Sequence, residues 1–360
     1  MKAGRIFHRQ PAGRSGNSTH HMQKIISYLL LVSIVVFAAC NTDKKKQQST
    51  TPFFSAKEVV RLNQLIYKDS TTEAFVKYAA DFEVIFLPKA VDGNFAIITK
   101  NKSTEQYALV IRGSVMEFSN EGFQNFILQD FNIFTIKKWN YADTVKEAYI
   151  SNGSWIGFQN LLQLKDNSNG LNIKEFIEQK IPADAGIVIT GHSLGGNLAY
   201  LLAGYLKKEL PAGKKKNLQI ITFGAPAAGN AAFVQDLEDK FPSGERYSTD
   251  LDIAPVFPDI AQIGKMAKLL GLDTVLQLGS ISKDLNAGNL LNIAGEILVQ
   301  TNVISKTNKY VQSQKHLRLL TNKEVQTSPT ALSVEVIFNR AYQFHKIDMY
   351  ADLLGVEVLK

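Results

Sequence analysis

The 360-residue chain has one cysteine, Cys40. No disulfide can close within the chain, and no thiol is left beyond position 40 for nucleophilic chemistry or for a thiolate metal cluster. Histidine is scarce as well: beyond residue 50 only His192, His316 and His345 occur. Most of the chain also lacks an excess of one charge. The net charge of +7 sits in residues 1–50, where eight Lys and Arg face Asp43 alone, while residues 51–360 carry 32 of each sign. A balanced surface has no field that draws a phosphate backbone, so nucleic acid is not an expected partner. Long apolar runs are absent except for one, Ile25–Ala39.

That run follows Lys24 and ends at Cys40. A basic start, an apolar middle of about fifteen residues and small residues at the end describe an export signal, and the run is shorter than the ~20 residues a membrane-spanning helix needs. Phe37-Ala38-Ala39-Cys40 resembles the bacterial lipobox, with Phe37 in place of the usual aliphatic residue. By that resemblance Cys40 is lipidated and residues 1–40 are a signal peptide, Met22 offering an alternative start. The expected location is outside the cytoplasm, on a bacterial membrane through the N-terminal lipid, facing the periplasm or the cell surface. Residues 41–52 are polar throughout and read as a flexible tether.

From residue 53 the chain reads as one domain, with no linker composition to divide it. Ser55 is placed to cap a helix carrying Val59, Val60, Leu62, Leu65 and Ile66. Strand-like runs follow at Phe82–Leu87, Asn94–Thr99 and Tyr107–Ile111. Further along, Ile173–Ile181 reads as helix, Ala185–Thr190 as a strand buried on both faces, Leu194–Leu206 as a buried helix, and Leu218–Phe223 and Arg246–Ser248 as strands. Strands alternating with helices predict an α/β fold with a mostly parallel central sheet flanked by helices. Residues 115–150, rich in aromatics, and residues 259–340, read as a helical insertion, stand outside this scheme.

Gly191-His192-Ser193-Leu194-Gly195 falls between the buried strand and the buried helix. A serine on so sharp a turn needs neighbours without side chains, and the turn lifts its hydroxyl to a helix N-terminus where backbone amides favour an oxyanion. Such a nucleophile needs a base and an orienting carboxylate. His192 adjoins the serine and its ring is expected to turn away, beneath the elbow. His316, between Lys315 and Arg318 and expected to be exposed, and His345, beyond the last strand of the presumed sheet, are both eligible bases, and His345 is favoured. Asp250 and Asp252 both follow the third parallel strand and are eligible acids.

Several motifs together resemble the class 3 lipases, the fungal-type triacylglycerol lipases. They are Ile111-Arg112-Gly113-Ser114, Trp155-Ile156-Gly157-Phe158, the elbow Gly191–Gly196, Thr222-Phe223-Gly224-Ala225-Pro226, Asp252 with Pro255 and Pro258, and His345 with Tyr350. Trp155 stands where the family usually has histidine, and the stretch from Asp252 to His345 is longer than usual. The resemblance implies an α/β-hydrolase-type fold over residues 53–360, with residues 115–150 in the place of a lid. It implies a triad of Ser193, Asp252 and His345, with Gly191 and Gly195 as elbow glycines. The amides of Ser114 and Leu194 would form the oxyanion hole. It implies no metal or cofactor, and a lipid or ester substrate hydrolysed through an acyl-enzyme. A phospholipase A or an acyltransferase would keep the same triad, whereas a surface-anchored binding protein on this fold would not need it. No partner protein is inferable.

Overall fold

The computed structural model describes residues 53–113, 135–144, 146–259, 310–322 and 342–359. Helix α1 (Ala56–Leu65) opens on a reciprocal cap, the Ser55 side chain taking the Glu58 amide and Glu58 reaching back to the Ser55 amide. Helix α2 (Thr71–Tyr78) and strands β1 (Phe82–Phe86), β2 (Phe95–Asn101) and β3 (Tyr107–Arg112) follow. Two short strands, β4 (Ile136–Lys138) and β5 (Tyr149–Ser151), precede α3 (Asn152–Gln163) and α4 (Ile173–Lys180). The centre of the fold is β6 (Ile187–His192), α5 (Leu194–Glu209), the single turn α6 (Ala212–Lys215) and β7 (Leu218–Phe223). Then come β8 (Gly229–Asn230), α7 (Ala231–Lys240), β9 (Glu245–Thr249), β10 (Tyr310–Val311), β11 (Leu317–Leu320) and α8 (Ile347–Leu353).

Among the described residues seven strands form one sheet in the order β1-β2-β3-β6-β7-β9-β11. The β1–β2 and β2–β3 pairs are antiparallel, and from β3 to β11 every pair is parallel. This is the α/β-hydrolase-type sheet expected from the sequence. The alternation along the strands explains its two cores. Leu109, Ile111, Ile187, Ile189 and Ile220 point to one side, against α3, α4 and α5. Ala108, Val110, Val188, Ile221 and Phe223 point to the other, against α1 and α8. Helix α5 is therefore packed nearly all round, and it runs one turn beyond the expected stop at Lys207 because Lys207 and Lys208 still lie within it. The parallel register brings Gly113, Ser193, Gly224 and the loop after Thr249 to one rim of the sheet.

Three expectations need correction. The stretch 259–340 is not uniformly helical: β11 lies within it and extends the sheet, Leu317–Leu320 pairing in parallel with Arg246–Thr249. His316 is buried rather than exposed, packed beside Gly244 at the start of β11 and so at the far end of that strand from the elbow. Of the segment expected as a lid, residues 115–134 lie outside the described residues. In its second half β4 and β5 belong to a small four-stranded antiparallel sheet, β10-β8-β5-β4. There Trp139 is core, set edge-on against Phe158 and Phe233.

Candidate active site

Strand β6 runs into α5 through Ser193, whose φ of +58° and ψ of −129° no ordinary strand or helix residue adopts. The turn is so tight that side chains on its glycines would strike backbone. One on Gly191 would meet the carbonyl of Gly195, and one on Gly195 would meet Gly113 N at 2.8 Å. The amide of Ser193 is held by the Phe223 carbonyl at 3.0 Å, tying the elbow to the next strand. Leu194 opens α5, so its amide has no carbonyl one turn back to bond.

Ser193 Oγ lies 2.8 Å from His345 Nε2. The other ring nitrogen, Nδ1, is 2.9 Å and 3.0 Å from the two oxygens of Asp252. A carboxylate accepts, so Nδ1 carries the proton and Nε2 is free to accept from the serine hydroxyl. Asp252 is wholly buried, and its charge is met from three sides. Besides His345 it accepts from the Tyr350 hydroxyl at 2.6 Å and from the Ala254 amide at 2.8 Å. Burial first, then the Asp252 charge, push the Tyr350 phenol far above its usual pKa, so it remains a donor. The close approach of these groups needs Gly224, at φ +56°. A side chain there would stand 2.9 Å from Asp252 Oδ2 and 3.3 Å from His345 Cε1.

A second network lies underneath. His192 Nε2 is 2.6 Å from the backbone carbonyl of His345. A carbonyl cannot donate, so Nε2 bears the proton and Nδ1 accepts from the Tyr67 hydroxyl, 3.2 Å away. The same hydroxyl accepts the Gly113 amide at 3.0 Å. Burial, and then the neighbouring His345, hold the His192 pKa well below the ordinary imidazole value, so the ring is neutral.

The structure thus brings Ser193, His345 and Asp252 together and leaves the alternatives apart. Asp250 instead accepts from the amide and side chain of Asn322 at 3.1 Å and 2.6 Å. His192 packs beneath the elbow, as expected. Ser114 and Cys40 lie outside the described residues. Sequence reasoning missed Tyr67, which sits just past α1 and reaches His192 across 125 positions, and it missed why position 224 must be glycine. The Thr222–Pro226 motif carried a signal for the second but no geometry.

The sheet, the strained serine and the hydrogen-bonded Ser–His–Asp chain define an α/β-hydrolase fold with a triad. Residues 109–261 match the family model of class 3 lipases, described as Lipase (class 3). Over 72 residues the chain is 38% identical to the lipases of Rhizopus niveus and Rhizopus oryzae, an alignment covering 20% of this chain. It spans 18% of the length of each of these relatives. The solved structure of M37 lipase superposes with a TM-score of 0.61 at 23% identity, covering 84% of this chain and 93% of that one. Residues 109–261 are thus similar to the class 3 lipases, and the likeness to M37 lipase supports the fold. His345 falls outside the matched segment, and its pairing with Ser193 and Asp252 rests on the geometry.

Proposed function

We propose that the chain is a serine hydrolase of carboxylic esters, acting on lipids or lipid-like esters. The observation that carries this is the unbroken Ser193–His345–Asp252 hydrogen-bond chain on the strained elbow. Ser193 Oγ attacks the ester carbonyl as His345 Nε2 takes its proton. The oxyanion collapses, the ester C–O bond breaks, and His345 gives the proton to the departing alcohol. Water, deprotonated by the same nitrogen, then releases the acid and restores Ser193. Asp252 keeps His345 in the right tautomer and faces the imidazolium that forms. The Leu194 amide and, by family resemblance, Ser114 receive the oxyanion, each donor being worth roughly 3–4 kcal/mol in comparable sites.

The test is fluorophosphonate labelling of the full chain in detergent, beside hydrolysis of p-nitrophenyl esters of increasing length. Labelling is expected at Ser193, lost in Ser193→Ala, collapsed in His345→Ala and kept in His316→Ala. A folded chain that neither labels nor hydrolyses any ester would instead be a binding protein on this fold.

For the N-terminal region the proposal is a lipoprotein exported from the cytoplasm. Residues 1–39 would be cleaved away, Cys40 would be lipidated and become the new amino terminus, and residues 41–52 would tether the domain to the membrane. Its support is the lipobox-like Phe37–Cys40 and the placement of the only cysteine there. Incorporation of radiolabelled palmitate that disappears in Cys40→Ser would support it, and equal incorporation in that variant would overturn it.

A further inference from the structure

A cavity of about 440 Å³ lies on the sheet face over β9 and β11, beside the loop that carries Asp252. That is the size of a small-molecule site, typically ~300–1,000 Å³. Arg246, on its wall, is only 4% exposed. The Arg246 Nε donates to the Ser313 carbonyl at 3.2 Å. Among the described residues its two terminal nitrogens make no hydrogen bond and no ion pair. A buried guanidinium without a counter-charge is costly, and its four remaining N–H donors match a carboxylate in a planar fork. Of the acids on the cavity wall, Asp250 is engaged by the amide and side chain of Asn322. The walls beyond the cation are mixed: Phe257, Tyr310, Leu317 and Leu319 form an apolar strip, and Gln312 and Gln314 are among the polar residues beside it. Leu319, at 58% exposed, leaves one side open to solvent.

We infer that this cavity binds a fatty-acid anion, with its carboxylate on Arg246 and its chain along the apolar strip, at a site separate from the triad. The choice of a fatty acid rests on the ester-hydrolase reading, since hydrolysis of a lipid ester releases such an anion. The cavity is walled by Thr249, Asp250 and Pro255–Pro258, so an occupant touches the loop that holds the catalytic acid. Product occupancy would thereby be sensed next to Asp252.

The experiment is calorimetric titration of the full chain carrying Ser193→Ala, with decanoate below its micelle concentration, decanol and inorganic phosphate as separate probes. Decanoate is expected to bind, with decanol at least tenfold weaker and phosphate weaker than decanoate. Arg246→Met should weaken decanoate at least tenfold, and Arg246→Lys by no more than threefold. Near-UV circular dichroism checks that each variant is folded. If Arg246→Met is not, Leu319→Glu places a like charge on the open wall and should weaken decanoate at least threefold. Decanoate affinity unchanged in a folded Arg246→Met or in Leu319→Glu would overturn the proposal, as would absence of binding. Phosphate binding as tightly as decanoate would make it a site for the anion alone and would also overturn it. Wild-type chain phosphonylated at Ser193 should still bind decanoate, and loss of binding there would assign the ligand to the triad's groove. Because binding is read with Ser193→Ala, a chain that binds decanoate but cleaves no ester would refute the hydrolase reading and leave the site standing.

Discussion

Replacing Tyr67 with phenylalanine removes one oxygen and should disturb both sides of the active site. The phenol accepts the Gly113 amide at 3.0 Å and donates to His192 Nδ1 at 3.2 Å, while its ring stays edge-on to His192 at 5.8 Å. Two hydrogen bonds are lost, and two buried partners remain with nothing to replace them. Leaving such a partner alone costs about 1–3 kcal/mol, so unfolding free energy should fall by about 2–6 kcal/mol. His192 still donates to the His345 carbonyl, so the base is loosened rather than released. A fall in kcat of about tenfold, about 1.4 kcal/mol, is expected with KM within twofold, because the loss acts on the placing of His345. Urea unfolding and steady-state hydrolysis of p-nitrophenyl butyrate read the two numbers. A stability loss under about 0.5 kcal/mol with unchanged kcat would refute the view that this hydroxyl joins the Gly113 and His345 segments.

Asp252→Asn should keep the fold but cut kcat by about 10⁴, because the amide favours the wrong imidazole tautomer, and single-turnover kinetics would show it. Gly224→Ala combines a positive φ with a methyl group 2.9 Å from Asp252 Oδ2. A loss of about 1–3 kcal/mol in thermal unfolding and at least about tenfold in kcat is expected. Both His192 and His316 are held below the usual imidazole pKa, chiefly by burial. Below about pH 6.5 the unfolded chain therefore binds protons that the folded chain refuses, and stability falls with acidification by up to about 1.4 kcal/mol per pH unit for each ring. Denaturation midpoints for wild type and His316→Gln between pH 7.5 and 5 should diverge in slope, and parallel slopes would deny His316 that contribution.

Much of the fold was legible because central parallel strands are buried on both faces and read as apolar runs. Leu218–Phe223 is one such run, and the elbow glycines are demanded by local backbone geometry. The small sheet was not legible, since strands of two or three residues such as β8 and β10 carry no periodicity. His316 misled for a related reason: the cations flanking it in sequence point elsewhere once β11 pairs with β9. Tyr67 could not be found locally, because its hydrogen bonds span long separations and tyrosine near the end of an amphipathic helix is ordinary. Order in the sequence left both His316 and His345 eligible, and the structure supplies the 2.8 Å contact that favours the second.

The hydrogen bond from His192 to the His345 carbonyl means that the elbow itself grips the segment bearing the base. Asp252 and His345 are 93 positions apart, yet the histidine is held from below by His192 and in front by Asp252, which Tyr350 on α8, packed on Phe223, holds in turn. The imidazole is thus set by partners drawn from the elbow strand and the loop after β9, and proton transfer at Ser193 depends on that meeting of distant segments rather than on any local run of sequence.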